Sequence, residues 1–194
     1  ETGQSNPTFL LKSNNKNFVL RSKPFGNLLR GAHRIDREYK VMSALSSSKI
    51  PTPKMYGYCS DVDIIGSEFY IMEFLNGTHE FDPDLPNYTS GQRDKIYKHK
   101  VKILAELVKL DLKKIGLDNF GKSSGYLERQ INLWTKQYRD SETKHIKSME
   151  YLIDNIPKNI PTEIDNLKPC LLHGDFRLDN MILVKNKSIT KING

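Results

Sequence analysis

The sequence predicts an α+β chain in which a β-rich part comes first and a mostly helical part follows. Three observations carry this expectation. Short apolar runs bounded by turn residues fill the first 75 positions, at 8–11, 18–21, 54–59, 62–65 and 69–75. Apolar residues then recur at spacings of three and four across 94–112, 126–138 and 142–155. Short runs suit strands and a 3.6-residue repeat suits helices, so the change of period marks a change of structure. Finally, polar residues at 173–180 interrupt two apolar runs, which places them on a loop between two short strands. The expected division is a lobe of sheet plus one helix at 1–75 and a helical lobe bearing that loop at 76–194.

Each element has its own signals. The polar turn Gly3-Gln4-Ser5-Asn6-Pro7 precedes the first strand, and 13–17 supplies the turn of a hairpin between the first two. Ile35, Tyr39, Met42 and Leu45 form the apolar stripe of a helix at 32–46, with Glu38 beside it. Pro51 and Pro53 break that pattern ahead of an extended piece at 54–59. Gly66 separates 62–65 from 69–75, which reads as a second hairpin ending at Asn76-Gly77. Pro83, Pro86 and Gly91 mark a loop. The helix expected at 94–112 has a broad buried face of Ile96, Val101, Ile103, Leu104, Leu107, Val108 and Leu112. A second carries Tyr126, Trp134 and Tyr138, aromatics expected in the core. A third ends at Pro157, and 189–192 is a last strand.

Composition narrows the class of function. The 194 residues are 37% hydrophobic and 27% charged, as in an ordinary globular protein. The net charge of +7 is thinly spread. Its densest points, Lys98-His99-Lys100 and Lys113-Lys114, fall on helical patterns and read as solvated faces rather than a nucleic-acid surface. A positive balance still suits an anionic ligand. Cys59 and Cys170 make no disulfide or metal framework, which suggests buried or half-buried thiols in a reducing, intracellular compartment. No apolar run reaches membrane-spanning length. The chain has no starting Met or signal peptide and begins and ends mid-pattern, which suggests a fragment.

The polar loop is the most specific feature: His173, Gly174, Asp175, Arg177, Asp179 and Asn180. Asp and Asn are common in turns for local reasons. Here Asn follows Asp at the spacing of a kinase catalytic loop, with His two residues before the Asp. In that chemistry the carboxylate takes or orients the proton of an attacking hydroxyl, and the amide holds magnesium. A phosphoryl transition state needs an aimed nucleophile and neutralised phosphate oxygens, and such a loop serves both needs. Asp175 is the expected base, His173 its support and Asn180 the metal ligand. Arg177 stands where protein kinases carry a phosphate-contacting Lys, and a solvated loop Arg is the alternative. Gly174 replaces the Arg of protein kinases, which points to small-molecule kinases.

The order of other parts agrees. Arg21 ends a strand where a kinase has its ATP-contacting Lys, and Glu38 follows on a helix as its partner. Met72-Glu73-Phe74-Leu75 lies where a hinge offers backbone groups of Glu73 and Leu75 to adenine. Ser5 and Asn6 sit on the turn that would cover the nucleotide phosphates, although one Gly makes a weak phosphate loop.

These stretches, with 32–39, 66–73, Arg129-Gln130, Trp134 and Gln137-Tyr138, resemble the aminoglycoside phosphotransferase/choline kinase family. More closely, they resemble the kinase-like N-terminal domain of acyl-CoA dehydrogenase family members ten and eleven. The resemblance implies a protein-kinase-like two-lobed fold, C-terminally truncated, with ATP and Mg as cofactors and a small hydroxylated substrate. A hydroxyacyl compound, a 4-hydroxy acid CoA ester, is the substrate class it implies. It further implies a fused C-terminal acyl-CoA dehydrogenase domain and a location in mitochondrion or peroxisome. Choline- or aminoglycoside-type kinase and a nucleotide-binding pseudokinase scaffold remain alternatives. Val108 replaces the family's helix His. The second metal-binding Asp is expected beyond Gly194, so residues 1–194 alone are expected to be inactive and poorly soluble.

Overall fold

The computed structural model describes residues 6–25, 33–122, 124–184 and 189–192, the last as backbone. The chain forms two compact units, one of 1–117 with 171–194 and the other of 118–170. The sequence division at 75 lies inside the first of these units.

The first unit is built on an antiparallel sheet. Strands β1 (Thr8–Lys12) and β2 (Asn17–Ser22) form a hairpin whose turn is closed by Ser13 N–H donating to Lys16 C=O at 3.1 Å. Helix α1 (Ile35–Leu45) follows, then β3 (Met55–Cys59) and β4 (Phe69–Glu73). The spatial order is β1-β2-β4-β3. Helix α1 buries Ile35, Met42 and Leu45, three of the four residues in its expected stripe, and Tyr39 is half-buried. Ile35 and Met42 pack with Tyr70 and Met72, beside Val19, Met55 and Tyr58. Val19 lies opposite Met72 and Arg21 opposite Tyr70, so a period of two carries Arg21 onto this apolar face. A charge there needs a partner, and α1 supplies one.

The segment 62–65 is a turn rather than the expected strand. Gly66 N–H donates to Val62 C=O at 2.7 Å, and Asp63 N–H to Asp61 Oδ1 at 2.9 Å. The Asp side chain starts the turn, which outweighs the apolar run of Val62, Ile64 and Ile65. The hairpin partner of β4 is β3, with a register shift between Met55 and Gly57.

Helix α2 spans Ser90–Val108, earlier than expected. Thr89 Oγ1 accepts from Gln92 N–H and the Gln92 side chain returns a bond to Thr89 N–H. This capping box starts the helix before Asp94 and carries Gly91 into its first turn. Its buried residues are Ile103 and Leu107, while Val101, Leu104 and Val108 are exposed, so its buried face is narrower than expected.

The catalytic-type loop is not preceded by a strand. Residues 168–173 belong to no helix or strand, a short 3-10 turn covers Leu178–Asn180, and β5 (Met181–Val184) pairs with β6 (Ile189–Ile192). Leu178, Met181 and Leu85 form a second core, with Phe176, Tyr88 and Ile96 packed against it. Thr78 and Leu183 exchange two backbone hydrogen bonds at 2.9 and 2.8 Å. A Cβ on Gly77 would stand 2.5 Å from Ile182 Cγ2 and 2.6 Å from Leu183 C=O, so that close approach requires glycine.

In the second unit, α3 (Tyr126–Ser141) and α4 (Lys147–Asn155) have no fully buried residue. Trp134 is 64% exposed, against the expectation of a core aromatic. Its ring lines an apolar groove of about 410 Å³ with Leu127, Ile131, Tyr138, Leu152 and Ile156. Helical spacing identifies the stripe, but not what covers it. Cys59 is half-buried and Cys170 is exposed, against the expectation of shelter for both. Among the described residues, no helix is long and apolar enough to cross a membrane.

Candidate functional site

The first cluster is built around Glu38. Arg21 Nε lies 3.0 Å from Glu38 Oε2, with both side chains about one-fifth exposed. The contact is an ion pair without hydrogen-bond alignment. The carboxylate is oriented instead by two neutral groups. Asn6 Nδ2 donates to Oε1 at 2.7 Å, and Tyr70 OH donates to Oε2 at 3.0 Å. Burial, and then the charge of Glu38, pushes the Tyr70 phenol well above its ordinary range, so it stays a donor. Asn6 is itself buried, and its Oδ1 lies 2.8 Å from His33 Nδ1. Because the Asn6 amide nitrogen is spent on Glu38, its oxygen must accept, which assigns a proton to His33 Nδ1. His33 adopts φ 57°, a left-handed conformation just before α1. Arg21 Nη1 also reaches Thr8 Oγ1, at a long 3.4 Å.

The second cluster is the loop. Gly174 has φ +84°, and a Cβ there would touch nothing within 4 Å, so the backbone torsion rather than space selects glycine. Asp175 N–H donates to His173 Nδ1 at 3.3 Å, and the His173 ring stands edge-on to Phe176 at 5.3 Å. His173 therefore braces the loop between its backbone and the core residue Phe176. Asn180 Nδ2 donates to Asp175 C=O at 2.9 Å and to Asp175 Oδ2 at 3.0 Å. This closes the loop across the Asp-to-Asn spacing and leaves the amide oxygen as the atom a hard cation would take. Arg177 Nε contacts Asp175 Oδ1 at 3.0 Å, and its Nη2 donates to Asp179 Oδ2 at 2.7 Å.

At the expected hinge, Glu73 N–H donates to Lys54 C=O at 2.8 Å, and Lys54 N–H donates to Glu73 Oε2 at 3.1 Å. The Glu73 N–H is thus taken within the sheet, and Leu75 is half-buried beyond the strand. Ser5 lies outside the described residues. The structure thus joins Arg21, Glu38 and Asn6 in one cluster, and His173, Asp175, Arg177 and Asn180 in another. Sequence reasoning gave no role to Tyr70, His33 or Asp179. Tyr70 follows only from the strand register, whereas Asp179 was visible inside the motif. Among the described residues one further group could ligate a metal, Glu142, His145 and Glu150. Arg139 already bonds both carboxylates, Glu150 at 2.6 Å and Glu142 at 3.2 Å, so this is an ion-pair network.

A carboxylate and an amide held together on one loop, and an Arg–Glu pair beside a sheet, are arrangements that phosphoryl transfer can use. Comparison with known proteins agrees. Residues 1–190 match the family described as phosphotransferase enzyme family. The chain is 46% identical over 181 residues to rat acyl-CoA dehydrogenase family member 11, covering 93% of this chain and 23% of that protein. It is 42% identical to mouse acyl-CoA dehydrogenase family member 10, covering 96% of this chain and 17% of that protein. The chain thus spans about a quarter or less of these curated relatives. A crystal structure from Ralstonia eutropha JMP134, described as a putative aminoglycoside phosphotransferase, superposes with a TM-score of 0.86 at 40% identity, over all of this chain and 56% of that one. The GDP complex of aminoglycoside 2'-phosphotransferase-IIIa shares the fold at 18% identity and a TM-score of 0.62, over 98% of this chain and 66% of that one. The fold is therefore the mixed α+β, protein-kinase-like one, and the chain belongs to the phosphotransferase enzyme family.

Proposed function

We propose that this chain is the nucleotide-binding and catalytic-loop part of an ATP-dependent small-molecule kinase that phosphorylates a hydroxyl group. The acceptor is a hydroxyacyl compound, a 4-hydroxy acid as its CoA ester. The observation that carries the reading is the loop in which Asn180 ties back to Asp175 at 3.0 Å. Bound magnesium would neutralise charge on the phosphate oxygens. Asn180 is the residue to hold it, through its amide oxygen. Asp175 orients the acceptor hydroxyl and takes its proton, His173 supports the loop, and Arg177 faces the transferred group. Arg21, held by Glu38, meets the nucleotide phosphates with a planar fork of donors. Glu73 and Leu75 receive adenine through their backbone, and Ser5 belongs to the turn over the phosphates.

The acyl-ester reading is supported by the relatives named above and by charge. A net charge of +7 favours an anionic CoA ester over a polycationic aminoglycoside. The aminoglycoside reading keeps one observation in its favour, the 40% identity to the Ralstonia protein. We further propose that the natural protein continues into an acyl-CoA dehydrogenase part, consistent with the 23% coverage of such relatives, and works where acyl-CoA esters are processed, in mitochondrion or peroxisome.

The test is magnesium-dependent transfer of phosphate from ATP to 4-hydroxyacyl-CoA by the full-length protein, with an aminoglycoside and choline as rival acceptors. Asp175→Asn is expected to lower turnover on the order of a hundredfold to ten-thousandfold, because the amide cannot accept the proton. Near-full turnover by that variant would sink the assignment. A preference for choline or an aminoglycoside would overturn the acyl-ester part alone.

A further inference from the structure

The catalytic-type loop contains an arrangement that its motif does not require. Arg177 lies between two carboxylates that are unequally exposed. The Asp175 and Arg177 side chains are 58% and 66% exposed, whereas Asp179 is only 25% exposed. The guanidinium Nε lies 3.0 Å from Asp175 Oδ1, an ion pair without hydrogen-bond alignment, and Nη2 donates to Asp179 Oδ2 at 2.7 Å. An ion pair between two exposed groups is screened by water and weak, and shelter of one partner strengthens it. The Asp175 contact is therefore the one that yields first.

Asp179 is also the better anchored of the two acids. Its neighbour Leu178 is buried in the core beneath the loop. Its carbonyl accepts from His79 Nδ1 at 3.3 Å, which ties it to the segment following the hinge. Asp175, in contrast, has both carboxylate oxygens engaged, Oδ1 by Arg177 and Oδ2 by Asn180. Each oxygen keeps a free lone pair, but the Arg177 guanidinium stands against Oδ1 on a side from which an acceptor hydroxyl would approach. Asn180 also bonds the Asp175 backbone, so the Arg177 contact is the one whose loss leaves the loop closed.

We infer that Asp179 is the positioning residue of Arg177, and that the Arg177–Asp175 contact is a latch on the catalytic base that the terminal phosphate of a nucleotide opens. Arg177 pivots on Asp179, exchanging one anionic partner for another. Asp175 Oδ1 is then free for the acceptor hydroxyl only when a phosphate is in place. This rests on the kinase reading above and adds a role for Asp179 and a cause for the presence of Arg at 177. The same device would suppress proton abstraction in the absence of nucleotide.

The test is carried out on the full-length protein with ATP and magnesium, and it includes a readout that needs no turnover. Calorimetry gives the dissociation constant of ATP for wild type, Asp175→Asn, Arg177→Ala and the double variant. Removing the Asp175 charge frees Arg177, so Asp175→Asn is expected to bind ATP about twofold to fivefold more tightly, the fold-change of an exposed ion pair. A gain from reduced charge alone would persist without Arg177, whereas a latch gain disappears in the double variant. In the phosphotransfer assay, Asp179→Asn keeps the shape of the side chain and removes its charge. Its kcat is expected to fall on the order of tenfold to a hundredfold through misplacement of Arg177, with the melting temperature held. Combined with Arg177→Ala it should cost little more than Arg177→Ala alone. An Asp175→Asn gain that survives Arg177→Ala, or no gain, overturns the latch. Wild-type kcat in Asp179→Asn, or fully additive losses, overturns the positioning role. Absence of ATP binding by wild type would overturn the kinase reading together with this one. Normal transfer with either failed outcome overturns the inference alone.

Discussion

Replacing Asn6 by Ala is the most direct probe of the cluster around Glu38. The side chain is buried and makes two short hydrogen bonds, 2.7 Å to Glu38 Oε1 and 2.8 Å to His33 Nδ1. Its removal leaves a carboxylate oxygen and an imidazole N–H without their partners. Each orphaned buried group costs about 1–3 kcal/mol, and water reaching the partly exposed Glu38 favours the low end, so the sum is about 2–4 kcal/mol. That is a large part of the roughly 5–15 kcal/mol that holds a domain together. The melting temperature should fall on the order of 5–15 °C. Glu38, held then by Tyr70 alone among the two neutral donors, should orient Arg21 less well, and KM for ATP should rise more than kcat falls. Asn6→Asp should be worse, because it places a second carboxylate against the first. Thermal denaturation and steady-state kinetics on the full-length protein decide it. If Asn6→Ala melts within about 1 °C of wild type, the buried network contributes no net stability and the reasoning fails.

Other perturbations probe separate parts. Gly77→Ala should destabilise by about 1–3 kcal/mol, since its Cβ would meet Ile182 Cγ2 at 2.5 Å, and unchanged urea denaturation would mean that the Thr78–Leu183 approach is soft. Burial, and then the charge of Lys102, holds His99 below its ordinary 6.5, so the folded state disfavours its protonation. The stability this contributes is complete above the unfolded value and is lost as pH falls through the lowered one. His99→Gln should therefore flatten the acid side of a melting-temperature profile, and an unaltered profile would remove His99 from the account. Asn180→Ala should shift the magnesium dependence of turnover to higher concentration; an unchanged magnesium curve with a lower melting temperature would reduce Asn180 to a turn residue.

The contacts of the loop were legible because they are local. Asp175, Asn180 and His173 lie within eight positions, and their contacts follow from that spacing. The stripe of α1 was legible because its period belongs to one helix. Tyr70 was not, because its bond to Glu38 depends on which strand lies beside β2, and register is set by pairing across the sheet. The turn at 62–65 was misread because the Asp61 side chain accepts from Asp63 N–H, a bond that an apolar count ignores. Trp134 was misread for the opposite reason: helical spacing shows that a face is apolar, but not that anything lies upon it.

The first unit is interrupted in sequence by the second. Residues 118–170 fold as an insertion between the sheet with α2 and the strands that follow the catalytic-type loop. Synthesis must therefore deliver Leu171 onward only after that stretch has emerged, and the loop region then packs on Leu85, Tyr88 and Ile96, made earlier. Non-local docking of this kind slows folding, because closure entropy is lost before the contact forms. The same entropy grows only with the logarithm of length, about 0.6 kcal/mol per doubling. The inserted helices can thus lengthen, shorten or diverge at small thermodynamic cost to the unit that carries Asp175. A lineage could remodel 118–170 freely while the chemistry of the loop stayed fixed.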